Sequence, residues 1–342
     1  MDIPDPPRRP TSYDVARLAG VAQSTVSRCF GGDASISPGT RARVEQAAVR
    51  LGYQPNALAR SLITKRSDMV GALVTRYTLR FSPDLVYALG LSLAEAGKQL
   101  VLVPVGDDLP PAGALRRALA YPLDGLISCV TLTSADLKGL HGRRLPVVFF
   151  NRVPIGYGAG NGAADSVRAA HAEAAAAVAD ALLDAGHRSF LCVAGPPGAP
   201  VSGERIGGFI RRLQQRGFAP PPVLDTDYSY EGGRDAFLRH MEARDRPDAV
   251  LAANDPVALG VMDACRFRLG LRVPEDVSVV GADNASEGAR PSYLLTTVSQ
   301  DLPAMAGEAV RLLLRRIADP GAAPVAAVLP APLVRRASAR LG

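Results

Sequence analysis

From Met69 onward, short apolar runs alternate with amphipathic stretches. MVGALV precedes an amphipathic 83–97 and QLVLVPV precedes 110–120; then come DGLISCV, PVVFF and a long alanine-rich helical pattern over 166–185. The alternation resumes with SFLCVAG and a helix near 203–216, PVLD and a helix near 229–243, AVLAA and a helix near 256–268, then VSVVGA and a helix near 301–318. APLVRR is the last strand-like segment. Runs this short and this continuously apolar suit strands buried on both faces, and helices between them make the sheets parallel. The stretch is too long for one ordinary domain, so it predicts an α/β body of two doubly wound parallel-sheet subdomains. No internal sequence repeat stands out.

Residues 11–51 follow another rhythm, short helical patterns broken at Gly20 and Gly31-Gly32. Thr11 to Asp14 form a capping box, Val15, Leu18 and Ala19 give the first helix an apolar face, and Gly20 permits a sharp turn. Val21, Val26 and Phe30 supply the buried stripe of a second helix. Gln23, Ser24, Thr25, Ser27 and Arg28 are left over, and most must face outward. A third helix has Ser37 as N-cap, Pro38 at its first position, and Val44, Ala48 and Leu51 to pack beneath the other two. This predicts a small all-α helix-turn-helix head. In GYQPNALARSLITKR, Pro55 starts a helix of about two turns, too short to be stable alone in water.

Charge changes the picture next. The net charge is +6. Residues 1–66 carry ten Lys/Arg against five Asp/Glu, and the remaining 276 carry 29 against 28. A basic head on a neutral body suits contact with a polyanion; a solvated charged tail is the alternative. The outward residues of the second helix favour the former. Gln and Arg make bidentate bonds to adenine and guanine edges, and Ser or Thr bonds to bases or phosphates. Gln23, Ser24 and Arg28 fall near the leading end and on one face of a helix fit for the major groove. A helical domain with a merely polar surface is the rival reading. Leu62, at the far end of the short helix, is suited to wedge between base pairs in the minor groove.

Other classes fit poorly. No run is long enough for a membrane helix, and MDIPDPPRRP has arginines with no apolar stretch behind them, so it reads as a Pro-rich tail rather than a leader. Cys29, Cys129, Cys192 and Cys265 lie far apart without metal or redox spacing, which suits a reduced cytoplasm, and no metal or cofactor is expected. The four histidines lack metal spacing and no G-x-S-x-G elbow is present, so an enzyme is not expected. Gly158-Ala-Gly160-Asn-Gly162-Ala163 half resembles a dinucleotide fingerprint but does not turn directly out of a strand. A periplasmic sugar-binding protein would share the body, yet has no use for residues 11–62.

The pattern Thr11-x-x-Asp14-Val15-Ala16-x-x-Ala19-Gly20-Val21-x-x-x-Thr25-Val26-Ser27-Arg28, with Leu51-Gly52-Tyr53-x-Pro55-Asn56-x-x-Ala59-Arg60-x-Leu62, strongly resembles the LacI family of bacterial transcriptional regulators. Landmarks continue to about Arg336: Pro146–Arg152, Gly186-His187-Arg188, Arg205-x-Gly-Gly208-Phe209, Asn254-Asp255, Gly281-Ala-Asp283 and Thr296-Thr-Val-x-Gln-Asp301. The resemblance implies that Gln23, Ser24 and Arg28 read bases, that Thr25 and Ser27 contact phosphates, and that Leu62 is the intercalating leucine of a hinge helix folding only on operator DNA. Ser37 is counted with the DNA-contacting set. Ala22 stands where the family usually has a capping Ser, and Gly31 where it usually has Asn.

The domain plan expected is a tail over 1–10, the head over 11–52, hinge and linker over 53–67, and a periplasmic-binding-protein-like body over 68–342. Within the body, one subdomain spans about 68–165 and 300–328 and the other 166–299 and 329–338. Ligands of open α/β sheets sit beyond the carboxyl ends of strands. That rule and the resemblance mark Phe81, Arg205, Tyr228, Asn254, Asp283 and Gln300 as effector-binding. Taken singly, Asn254, Asp255 and Asp283 read better as helix caps; it is as a set that they point to a ligand. Carboxylate, amide and guanidinium beside aromatic rings suit a polyhydroxylated ring, so the expected effector is a sugar or derivative; a nucleobase corepressor is the alternative. Arg76, Arg80 and Arg152 hint at an acidic or phosphorylated sugar, unless all three are surface residues. The expected partners are palindromic double-stranded operator DNA and a second copy of the chain.

Overall fold

The computed structural model describes residues 10–31, 33–54, 66–106, 110–152, 164–243 and 246–342, without the side chains of Tyr77 and Phe81. The expected hinge helix with Leu62, the residues of the expected tail before Pro10, and the glycine run at 158–163 lie outside them. Two compact units emerge, one of residues 1–68 with 122–124 and one of the remainder.

The first unit holds α1 (Ser12–Ala19), α2 (Gln23–Phe30) and α3 (Pro38–Leu51). Their apolar stripes meet in one core of Val15, Ala16, Ala19, Val26, Cys29, Val44, Ala47 and Ala48, sealed by the rings of Phe30 and Tyr53 with centroids 5.9 Å apart. Gly20 ends α1 in the left-handed region at φ 65°, which lets the chain turn at once into α2. Ser37 caps α3 as expected, accepting from the Thr40 amide at 3.3 Å.

In the second unit the strands are β1 (Met69–Thr75), β2 (Gln99–Val105), β3 (Gly125–Ser128), β4 (Val147–Phe150), β5 (Asp165–Ala169), β6 (Phe190–Val193), β7 (Val223–Leu224), β8 (Ala249–Ala252), β9 (Ser278–Asp283), β10 (Thr296–Ser299), β11 (Ala326–Leu329) and β12 (Leu333–Val334). Among the described residues they form two six-stranded sheets, ordered β11-β5-β4-β3-β1-β2 and β12-β10-β9-β8-β6-β7. Read from the other edge, both sheets run second, first, third, fourth, fifth, sixth strand. Only β12 is antiparallel to its neighbour. The described helices of this unit are α4 (Arg76–Phe81), α5 (Pro83–Glu95), α6 (Pro111–Ala118), α7 (Ser134–Gly142), α8 (His171–Asp184), α9 (Pro200–Gln215), α10 (Tyr230–Ala243), α11 (Asp255–Asp263) and α12 (Leu302–Ala318), and each sheet is covered on both faces. In β6 every residue is buried, with Phe190 and Cys192 in one apolar cluster and Leu191 and Val193 in another. That double burial is why parallel strands read as unbroken apolar runs.

Two expectations need correcting. The helical pattern placed at 166–185 begins only at His171, as α8 (His171–Asp184), because residues 165–169 pair with β4 and β11 as a strand. The subdomain boundaries expected at 165/166 and 328/329 therefore cut strands that belong to the first sheet. The buried Asp165 hid this strand from the sequence pattern. It accepts bonds from Arg315 and Arg316 at 2.9 and 3.0 Å and from the Val325 amide at 2.8 Å, all supplied from some 150 residues away. The helix near 256–268 is α11 (Asp255–Asp263), which continues as a π-helical turn over Ala264–Arg268. Among the described residues no helix is long and apolar enough to cross a membrane.

The chain passes between the sheets three times: after β5 at Ala170, after β10 at Gln300, and through Pro330–Pro332 between β11 and β12. In both sheets the reversal of strand order beside the first strand is where a crevice opens at the carboxyl ends.

Candidate functional site

In the head, the sequence of α2 decides what it presents. Val26 and Cys29 point into the core, Ser24 and Arg28 are exposed one turn apart, and Gln23, Thr25 and Ser27 are half-buried between them. The Gln23 amide donates to the Ser12 hydroxyl at 3.1 Å, tying the starts of α1 and α2 together. Asp14 takes the Thr11 amide at 2.9 Å and its hydroxyl at 2.7 Å, so α1 is firmly capped. By contrast α2 starts at Ala22, which offers no side-chain acceptor. Its first amides are left to water or to an anion.

The loop between α2 and α3 holds contacts that sequence reading missed. Arg28 Nε donates to Asp33 Oδ2 at 2.8 Å, and its Nη2 donates to the Ser35 hydroxyl. Asp33 is itself held by the Ser35 amide at 2.9 Å. The guanidinium beside it holds the Asp33 carboxyl well below the usual carboxylate range. Arg41 reaches from α3 to the carbonyls of Cys29 and Asp33 at 2.7 and 2.9 Å, fixing this loop against the end of α2. The Asp33-x-Ser35 spacing of a side-chain-closed turn was the available signal.

In the body, the two sheets meet through a closed circuit of side chains. Arg205, on α9 (Pro200–Gln215), donates from Nη2 to Asp283 Oδ1 at 2.5 Å and from Nη1 to the Ala253 carbonyl at 2.6 Å. Gln300 Nε2 donates to the same Asp283 oxygen at 2.7 Å, and Asn151 Nδ2 donates to Gln300 Oε1 at 2.6 Å. Asn151 Oδ1 lies 3.3 Å from His171 Nε2, and Arg205 Nε donates to His171 Nδ1 at 3.4 Å, which closes the ring. Since Nδ1 accepts from arginine, the His171 proton sits on Nε2 and faces Asn151. Burial, then the charges of Arg205, Arg168 and Arg152, push His171 down to about 2, so it is neutral. Asp283 ends β9, Asn151 follows β4, and Gln300 and His171 lie at two of the crossings. The circuit therefore spans both subdomains.

Two neighbouring cavities border the circuit. An outer cavity of about 900 Å³ and an inner one of about 80 Å³ share Asn151, Asp283 and Gln300 as a common wall, with Ser82 and Leu85. Arg152, Arg205, Tyr228 and Cys129 line the inner chamber; Arg80, Asp84, Tyr87, Asp255 and Glu287 are among the outer residues. Asn151, Tyr228 and Asp283 all adopt positive φ, at 50°, 67° and 113°. Each costs about 1–3 kcal/mol and persists only where surrounding structure dictates it. Gly195 lets the Tyr228 ring lie against its backbone, where a Cβ would collide with the ring.

The expected effector residues thus separate. Arg205, Asp283 and Gln300 are bonded to one another, and Tyr228 lines the inner chamber beside them. Asn254 is buried and borders neither cavity. It caps α11 by accepting from the Val257 amide at 2.9 Å and donates to the Tyr228 carbonyl at 3.1 Å, so the capping reading describes its bonds. The Phe81 side chain lies outside the described residues. Asp283 makes an ion pair rather than a cap. Asn151 and His171 went unmarked, because their partners are far away in sequence. Asp255, fully buried, accepts from the Thr297 hydroxyl and the Ala285 amide, each at 2.6 Å. Burial and the neighbouring Asp283 push it up to about 7, against the pull of those two bonds.

Similarity to known proteins covers nearly the whole chain. Residues 11–56 match the family described as bacterial regulatory proteins, lacI family, and residues 179–339 match a periplasmic binding protein-like domain. The ribose operon repressor of Escherichia coli (strain K12) is 31% identical over 315 residues, 91% of this chain and 94% of that protein. The structure of the lac repressor dimer bound to operator and the anti-inducer ONPF superposes with a TM-score of 0.85 at 27% identity, covering 97% of this chain and 99% of that one. A complex of the transcriptional regulator CelR with cellobiose has a TM-score of 0.69 at 30% identity, covering 96% and 100%.

Proposed function

Because the chain belongs to the LacI family of bacterial regulatory proteins, we infer that it is a cytoplasmic dimeric repressor that reads a palindromic operator and is switched by a small polyhydroxylated molecule in its cleft. DNA binding comes with the family; the operator contacts, the dimer and the effector are our reading. The observation that carries it is the outer face of α2, where Ser24 and Arg28 are exposed one turn apart with Gln23, Thr25 and Ser27 flanking them. Gln23, Ser24 and Arg28 read base edges, while Thr25, Ser27 and Ser37 hold phosphates. Leu62, in the linker, wedges the minor groove.

The cleft supplies the switch. Relatives with similar bodies are named for ribose and for a cellobiose complex, which supports a sugar-like effector here. A ligand entering the cleft meets a circuit in which every side chain already has a partner. Binding has to replace some of those bonds, and replacing them shifts one subdomain against the other. Release from DNA on ligand binding is the polarity expected.

Selection of the full-length protein on random duplex DNA tests this reading. Recovered sequences should be inverted repeats bound with steep salt dependence, because several phosphates are neutralised per dimer. Enrichment without inverted symmetry, or a flat salt response, would remove the operator-reading model.

A further inference from the structure

The inner chamber carries a charge that its own residues leave unbalanced. Arg152 lines it beside Cys129 and Tyr228, and its hydrogen bond runs from Nη1 to its own neighbour's carbonyl, that of Asn151, at 2.7 Å. Among the described residues no carboxylate pairs with it. The next segment, residues 153–163, contains neither Asp nor Glu. The nearby arginines are matched: Arg205 pairs with Asp283 at 2.5 Å and Arg168 with Glu204 at 3.3 Å. Around the inner chamber one cation is therefore in excess. A half-buried guanidinium gains most from an acceptor that carries charge and two oxygens.

Volume and the surrounding charge narrow the choice. About 80 Å³ is too small for a sugar ring but enough for one carboxylate or phosphate, while the outer 900 Å³ matches the range of small-molecule pockets. Asp84, Glu95 and Glu287 border the outer cavity against one arginine, Arg80, so a second anionic group there is disfavoured, whereas hydroxyls find acceptors. Three of the residues that the two cavities share are linked by side-chain bonds, Asn151 to Gln300 and Gln300 to Asp283.

We propose, building on the effector reading, that the cleft takes a small polyhydroxylated molecule bearing a single carboxylate or phosphate, seated in the inner chamber on Arg152. The anionic group displaces Gln300 Oε1 and takes over the Asn151 Nδ2 hydrogen. The hydroxylated remainder stays in the outer chamber. Recognition of the acid and opening of the circuit are then one event.

The test is calorimetry and thermal shift on the full chain with matched pairs: glucose against gluconate and glucuronate, and ribose and glucose against ribose 5-phosphate and glucose 6-phosphate. At least one acid should bind roughly tenfold or more tightly than its neutral parent, and the carboxylate and phosphate arms identify which anion is used. Arg152→Gln should abolish that preference, and Arg152→Lys should restore part of it, with both variants melting near wild type. Neutral parents binding as well as their acids, or an acid preference that survives in Arg152→Gln, would overturn the anionic ligand while leaving a sugar effector standing. No response to either class would count against the effector reading and the proposal together.

Discussion

The head and the body each hold an arginine against an aspartate, and the two pairs work in opposite ways. Arg28 and Asp33 meet at 2.8 Å with side chains 54% and 36% exposed; Arg205 and Asp283 meet at 2.5 Å with 6% and 21%. In water the first pair is worth little and exchanges readily for another anion, such as a phosphate or a base edge. The second is desolvated; its arginine has two further bonds in place, to the Ala253 carbonyl and His171, and its aspartate is shared with Gln300. Exposure leaves Arg28 free to exchange its partner, whereas burial makes Arg205 a structural brace of the second subdomain. The same two residue types thus form an exchangeable surface pair in one place and part of a buried circuit in the other.

Breaking the buried pair gives the largest expected effect. Arg205→Ala leaves Asp283 with Gln300 alone and removes the donor from the Ala253 carbonyl, which should cost about 3–5 kcal/mol of stability. Urea unfolding measures it directly; a loss under about 1 kcal/mol, typical of a surface pair, would erase the difference between the two pairs. Asp255 gives the next effect, as a pH dependence. Its folded pKa of about 7 lies above the unfolded value of 3.8, so its contribution is full below the latter and is lost as pH rises through the former. His171, lowered from 6.5 to about 2, works in the other direction, its contribution being lost as pH falls below 6.5. Subtracting the melting curve of Asp255→Asn from that of wild type isolates the carboxyl. The difference should decline from about pH 4.5 to about 7.5, and a flat difference would show that the two bonds from Thr297 and Ala285 keep the group ionised throughout.

How much of the molecule was legible in its sequence depends on where each residue's partners lie. Strands such as MVGALV, AVLAA and VSVVGA announced themselves because both faces are buried and every position is apolar or small. The strands at 165–169, 296–299 and 326–329 did not, since the first carries Asp165 and Arg168, the second two threonines, and the third is half exposed. Their pairing is set by tertiary partners that no local pattern encodes. The two sheets repeat one strand order without a visible sequence repeat, because burial constrains hydrophobicity and not residue identity. At the site, Arg205, Asp283 and Gln300 could be picked as polar residues beyond strand ends. Asn151 and His171 could not. Asn151 meets Gln300 across 149 residues, and His171 meets Arg205 across 34.

Changes in the head are expected to have smaller effects. Arg28→Ala should cost about 1–3 kcal/mol at one base pair and relax selection there, measured as binding across operator variants. A uniform loss over all sequences would make it a phosphate contact. Ala22→Ser supplies the side-chain acceptor that α2 lacks and should raise head stability by about 0.5–2 kcal/mol, read as a melting shift of the full chain. No shift would mean that the first-turn amides are already satisfied.

The smallest expected change, and the most discriminating, is Asp33→Ala. With the exposed partner gone, Arg28 loses a competitor for its Nε proton, and a negative charge beside the end of α2 disappears. Thermal stability should hardly move, since an exposed pair contributes little. Affinity for every duplex, random sequences included, should rise a few-fold, and its dependence on salt should steepen. If instead discrimination collapses at the base pair that Arg28→Ala also relaxes, Asp33 aims the guanidinium at the base rather than restraining it. The head's ion pair would then be a brace like the one in the body, differing from it only in exposure.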